Sequence, residues 1–323
     1  MAPQQVTDEQ LDLFKELATY ENLVHAISGL VGGVTAISAF YPLNNIRSRI
    51  QLDDSIEKGS MLHVTKQIVE KHGFYGLFQG WWSAVVCLGA SNFVYFYTYN
   101  AFKTIYQVKV LGSRKKAIDA YNNLLIAAAA GVVNVLLTTP LWVVNTRLTV
   151  QDTKKKQYDG VWDCLTRIAK EEGWQKLWAG VVSGLLLVSN PSIHFVVYDK
   201  LRGPMMSWAE ANKSAGTFVV GLVGFIVGAI AKAVATVVTY PIQTAQAKMR
   251  NDKEKKYKGT LHCLSVLYQQ EGWKAWFRGM EAKLWQTVLT AAFQFMTYEQ
   301  TNKFVTDLLM GGQPVTNAPA KKH

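Results

Sequence analysis

Apolar positions in this chain fall into long blocks instead of alternating with polar ones. Segments 123–144 and 217–240 are nearly unbroken runs, and the second carries a single charge, Lys232. As helices rising about 1.5 Å per residue, both can cross a hydrocarbon core of about 30 Å. Four further blocks, near 23–43, 81–102, 181–198 and 284–298, are apolar with polar residues at intervals. A backbone in lipid has to satisfy its own hydrogen bonds, so the pattern predicts an all-α membrane protein with six transmembrane helices. Polar residues set into such helices face a bundle interior or a water-filled path. The alternative is a soluble helical-repeat protein, and the near absence of charge in 217–240 argues against it.

The blocks are ordered by repetition. Pro42-Leu43-Asn44-Asn45-Ile46-Arg47-Ser48-Arg49 returns as Pro140-Leu141-Trp142-Val143-Val144-Asn145-Thr146-Arg147 and again as Pro241-Ile242-Gln243-Thr244-Ala245-Gln246-Ala247-Lys248. A second pattern follows each: Gly73 with Phe78-Gln79-Gly80, Gly173 with Trp178-Ala179-Gly180, and Gly272 with Phe277-Arg278-Gly279. Two patterns recurring in phase three times define three tandem units. They place a tail over 1–19, repeats over 20–110, 118–207 and 214–309, and a second tail over 310–323. Each repeat reads as a helix approaching its end at a kinking proline, a basic loop, a surface helix (61–72, 160–171 or 260–270), and a second membrane helix. The aromatic-x-glycine step has two compatible readings: a helix start whose amides suit a phosphate, and turn chemistry beside an interfacial aromatic. Gly29 with Gly33 and Gly224 with Gly228 have the small-xxx-small spacing of close helix packing. Cys164 and Cys263 both stand nine residues before the glycine and read as buried packing residues; with Cys87 they make no metal spacing.

Charge changes the picture less than its size suggests. The net charge of +11 gathers in Arg114–Lys116, Lys154–Lys156 and Lys253–Lys258, all between apolar blocks. There it meets acidic lipid head groups or anionic solutes, and no basic-aromatic motif points to nucleic acid. Asp8, Glu9, Asp12 and Glu16 make the beginning neither a signal peptide nor an Arg-rich transit sequence, and the final Lys-Lys-His is no Ser-Lys-Leu address. Targeting is expected to be internal.

The triplicated proline pattern and the aromatic-x-glycine step closely resemble the mitochondrial carrier family, from about 20 to 305. The resemblance implies a pseudo-three-fold six-helix barrel working by alternating access. It also implies an ion-pair ring two and five residues beyond each proline. Here those places hold Asn44, Trp142 and Gln243, and Arg47, Asn145 and Gln246, so one of six is charged. Hydrogen bonds of Arg47 with Gln243 and of Asn44 with Asn145 are the expected substitute, weaker than charge-assisted ones. The family's opposite gate corresponds to Tyr99-Asn100 with Lys103, Tyr198-Asp199 with Arg202, and Tyr298-Glu299 with Asn302, leaving one implied ion pair, Lys103 with Glu299. Tryptophan at 142 resembles the branch that carries folate, flavin and pyrimidine nucleotides. The runs Asn92–Thr98, Asn134–Arg147 and Glu281–Ala292 are similar to peroxisomal carriers of coenzyme A, FAD, NAD and adenine nucleotides such as AMP and ADP. That implies a peroxisomal location and a peroxisomal import receptor as partner; a mitochondrial flavin, folate or nucleotide carrier and a non-transporting membrane scaffold are the rivals.

Independently of family, an intramembrane lysine marks function. Lys232 lies nine residues before Pro241 and is expected in a cavity, whereas Lys283 suits either a cavity or snorkelling to the interface. Helical spacing adds Gln286, Thr287, Thr290, Gln294 and Thr297 on the last helix. It adds Asn92, Tyr95 and Tyr99 on the second, Asn190 and His194 on the fourth, and Asn134 and Thr138 on the third. Aromatics can stack on a planar ring and amides can read its edge, though a serine, a threonine or His194 serves as readily in helix-to-helix hydrogen bonds. No nucleophile–base pair, Walker loop, dinucleotide fingerprint or metal spacing appears, so no enzyme and no resident cofactor are expected. Cofactors are expected as cargo.

Overall fold

A computed structural model of the chain describes residues 34, 35, 37–52, 60–113, 117–152, 156–211, 217–290, 292 and 293. Phe40–Leu289 pack as one compact unit, and the pieces before Phe40 and from Thr290 onward group separately. Described residues contain no strand. The helices are α1 (Tyr41–Leu52), α2 (Met61–His72), α3 (Trp81–Lys109), α4 (Ala120–Val150), α5 (Val161–Arg167), α6 (Val181–Leu187), α7 (Asn190–Ala211), α8 (Thr217–Asn251) and α9 (Thr260–Glu271). A further helical run covers 280–290. Ala120–Val150, Val223–Asn251 and the run Val161–Met205, the last interrupted by positive-φ glycines at 173 and 180, are long and apolar enough to cross a membrane. At 29 residues α3 also has the length. More than half of the expected span at 23–43, with Gly29 and Gly33, and the end of the span at 284–298 lie outside the described residues. Leu125, Leu137, Val196 and Val238 point exposed apolar side chains outward, as a lipid-facing surface requires.

The prolines do not end their helices. Each helix runs ten residues further, from Pro42 to Leu52, Pro140 to Val150 and Pro241 to Asn251. Proline frees the carbonyl four residues earlier. In α4 that carbonyl belongs to Leu136, and the Trp178 indole N–H donates to it at 2.9 Å. Asp119 caps the start of α4, and Asn122 holds its carboxyl below the usual range by donating from side chain and backbone.

Surface helices α2 and α9 run within a residue of the expected bounds. The middle one breaks instead: α5 stops at Arg167 and a wide π turn, Ile168–Gly173, continues. That turn carries Glu172, whose carboxylate clasps the buried Arg147 guanidinium with two hydrogen bonds. Beneath each surface helix lies a small core. Val64 and Ile68 pack on Ile46, Cys164 and Ile168 on Val143 and Val144, and Cys263 and Leu267 on Ala245. Val64, Cys164 and Cys263 hold the same repeat position and are all buried.

The glycine of each aromatic-x-glycine step is set by a close approach. Gly80 has φ +80°, and a Cβ there would stand 2.5 Å from Thr149 Oγ1; Gly180 and Gly279 meet the Gln246 and Arg47 carbonyls in the same way, at 3.2 Å. Each repeat thus seats its glycine against the helix end of the next. Hydrogen bonds stitch the same seam. The Gln79 amide donates to Leu148 O at 3.2 Å, Ser183 Oγ pairs with Thr260 Oγ1 at 2.8 Å, and Gln51 donates to Tyr240 OH at 2.9 Å. The turn reading of these steps has its physical basis in this contact.

Candidate functional site

Above the seam, the same helices enclose a cavity of about 360 Å³, within the roughly 300–1,000 Å³ of small-molecule sites. Helix geometry decides which residues reach it. Arg47 and Arg49 are two positions apart, so about 200° of rotation separates them around the helix. Arg49 turns to the seam, where its Nη2 donates to Gln79 Oε1 at 2.8 Å. Arg47 turns to the cavity. Lys232, Arg250 and Lys283 join it, and among the described residues no carboxylate lines the wall. Lys283 stands close enough to Arg47 and Lys232, and Arg250 to Arg47, for each charge to act on the other. Among the described residues, the Nε atoms of Arg47 and Arg250 are buried without a hydrogen-bond partner.

Most of the remaining wall is polar, and several of its side chains are held in place. Lys232 Nζ donates to Asn190 Oδ1 at 3.3 Å, and Asn190 Nδ2 donates to Thr239 Oγ1 at 2.7 Å. The Trp142 indole N–H donates to buried Ser91 at 2.9 Å, fixing its ring at the cavity edge. With its amide oxygen turned toward them, Gln246 accepts from Arg250 Nη2 at 3.0 Å and from the Gly184 N–H at 3.2 Å. Such a surface can hold a polyanion by charge-assisted hydrogen bonds.

The signature of mitochondrial carrier proteins matches residues 18–110, 116–207 and 221–308, three times in tandem. The chain belongs to the mitochondrial carrier family. Among its relatives is peroxisomal membrane protein PMP34 of Mus musculus, 41% identical over 298 residues, which span 87% of this chain and 93% of that protein. The peroxisomal nicotinamide adenine dinucleotide carrier of Arabidopsis thaliana is 30% identical over 87% of this chain and 95% of its own length. The peroxisomal adenine nucleotide carrier 1 of the same plant is 30% identical over 87% and 90%. The protein is thus a membrane transporter in its general class.

In this carrier the six ring positions are gathered but not latched. Asn44, Arg47, Trp142, Asn145, Gln243 and Gln246 all line the one cavity. The expected hydrogen bonds of Arg47 with Gln243 and of Asn44 with Asn145 do not form: Gln243 donates to Thr239 on its own helix at 3.1 Å, and Asn145 accepts from Ser83 at 2.7 Å. Short amides find partners on their own or an adjacent helix before they can bridge the lumen.

At the opposite gate, among the described residues, Lys103, Asp199 and Arg202 make no ion pair; Arg202 lies over the Tyr198 ring at 6.0 Å. Tyr99 donates to Asn123 at 2.6 Å and Asn100 is exposed. Glu299 and Asn302, like Gln294 and Thr297, lie outside the described residues.

Of the expected cargo-binding residues, Lys232, Lys283 and Asn190 line the cationic cavity, and Tyr95 and Asn134 line a second one. Asn92, His194, Gln286 and Thr287 line neither. Asn92 is exposed, His194 packs on Tyr198 with ring centroids 6.3 Å apart, and Thr287 donates to Lys283 O on its own helix. Thr138 likewise donates to Asn134 O, and Thr290 closes the helical run 280–290. Sequence reasoning missed Arg250. It stands nine residues past Pro241, where the other repeats have Gln51 and Thr149, and both of those also line the cavity.

Proposed function

We propose that this carrier moves anionic adenine-containing cofactors and nucleotides, coenzyme A, FAD, NAD, AMP and ADP, across the peroxisomal membrane by alternating access. One observation carries the reading: Arg47, Lys232, Arg250 and Lys283 line a single cavity that, among the described residues, has no carboxylate in its wall. A phosphate group brings about −1.5 to −2 charges and several acceptor oxygens, and it supplies what those cations lack. The names of relatives that carry adenine nucleotides and NAD, and of a peroxisomal membrane protein at 41% identity, favour this cargo and this membrane. Cofactors are here the cargo, not residents of the protein. Lipids with acidic head groups around the basic loops and an import receptor complete the expected partners.

Reconstitution in liposomes tests the reading. Liposomes preloaded with AMP should take up labelled coenzyme A, FAD or ADP from outside. Uptake confined to inorganic or carboxylic anions would overturn it, and fluorescence imaging of the tagged chain on mitochondria would overturn the location.

A further inference from the structure

A second cavity, of about 320 Å³, adjoins the cationic one: Leu187 and Gln246 stand in both walls. Its chemistry is the opposite. Beyond Gln246 the wall is mostly apolar, with Ala127, Gly131, Val135 and Val188 beside the Tyr95 ring. Gly131 keeps one side flat, because a Cβ there would come within 3.1 Å of Val188. Asn134 of α4 lines this recess, and its side-chain oxygen is buried without a hydrogen-bond partner among the described residues. A buried acceptor left unmade costs its full desolvation, and a group supplied by something that enters the recess removes that cost.

We propose that this recess is a base compartment, in which Asn134 reads the edge of adenine while the phosphate reaches Arg250 past Gln246. The proposal rests on the nucleotide reading of the cationic cavity. A carboxamide matches adenine in two places: its oxygen accepts from the 6-amino group and its nitrogen donates to N7. Hypoxanthine and guanine carry a carbonyl at position 6, which sets an acceptor against the Asn134 oxygen. The flat, apolar wall and the Tyr95 ring suit the faces of the same ring. The arrangement selects adenine over 6-oxopurines without any charge in the recess.

AMP and IMP differ only in the 6-substituent and the proton it places on N1, so competition between them in proteoliposomes tests it. The unaltered carrier should favour AMP by about tenfold or more, because a site built to receive a polar group rejects a ligand that leaves it unpaired. Asn134→Ala should bring the AMP-to-IMP ratio close to one. Equal uptake of AMP and IMP by the unaltered carrier, or an unchanged ratio in Asn134→Ala, overturns the base compartment and leaves the phosphate site standing. Uptake of neither nucleotide overturns both. Should Asn134→Ala fail to fold, thermal stabilisation of the unaltered carrier decides: AMP should raise the melting temperature more than IMP at equal concentration, and equal shifts overturn the proposal.

Discussion

Two sets of cations, one at the seam and one lining the cavity, are treated in opposite ways. At the seam, Arg147 gives both terminal nitrogens to Glu172 and its Nε to Arg250 O at 3.3 Å, and Arg49 is held by Asn45 and Gln79. In the cavity, Arg47 and Arg250 keep an unpartnered Nε and share their space with Lys232 and Lys283. At an effective dielectric near 20, two unit charges about 8 Å apart repel by roughly 2 kcal/mol, so clustering cations without a carboxylate works against folding. Charge paired within the chain holds the repeats together. Charge left unpaired in the cavity is kept for an anion from outside.

The largest effect should come from unpairing the first set. Glu172→Ala leaves the Arg147 guanidinium buried without its carboxylate, a change that costs about 3–5 kcal/mol. Thermal unfolding in detergent should show it, and Arg147→Met on the same background should recover much of the loss. A melting temperature that Glu172→Ala leaves unchanged would remove the distinction between seam and cavity. Next comes Gly80→Ala, which puts a side chain at φ +80° and against Thr149. Strain of this kind costs about 1–3 kcal/mol. Gly89, with open space around its Cα, is the control: Gly89→Ala should be neutral or stabilising by up to about 1 kcal/mol. Equal behaviour of the two variants would show that the seam contact is not tight.

Arg250→Gln probes the second set, and the replacement copies Gln51 of the first repeat. Removing one of four like charges should leave the melting temperature unchanged or raised, while uptake of a nucleotide falls about tenfold, the equivalent of about 1.4 kcal/mol of lost binding. Full uptake with lower stability would assign Arg250 to the seam.

Much of this contrast was legible in the chain, and the limits of what was legible are instructive. The resemblance to mitochondrial carriers placed Arg47, Asn145 and Gln246 in one gate ring, and all three line the cavity. The proline register also held Arg250 nine residues past Pro241, but the residue types at that position, glutamine, threonine and arginine, share no chemistry to draw attention to it. The latch expected between Arg47 and Gln243 failed for a reason spacing does not encode: Gln243 has Thr239 one turn away on its own helix. Asn92, His194, Gln286 and Thr287 recur at helical spacing, yet periodicity ranks residues around one helix and not the rotation of that helix against its neighbours. The glycine of each aromatic-x-glycine step was visible as a pattern. Its cause, contact with the next repeat, needed the packing.

The smallest effect sharpens the seam side of the comparison. Cys164 and Cys263 occupy the position that Val64 fills in the first repeat, and all three are buried beneath a surface helix. Burial pushes each thiol from its ordinary 9.0 up to about 12. A folded thiol with a raised value keeps its proton while the unfolded one ionises. The stability it contributes is therefore complete below pH about 9 and is lost as pH rises from there toward 12. Cys164→Val and Cys263→Val, which copy the first repeat and nearly conserve volume, should shift stability at pH 7 by less than about 1.5 kcal/mol. Melting curves from pH 7 to 10.5 should fall less steeply for the double variant than for the unaltered carrier. Parallel slopes would mean that these thiols ionise in the folded carrier as they do in water, and that the cores under the surface helices admit solvent.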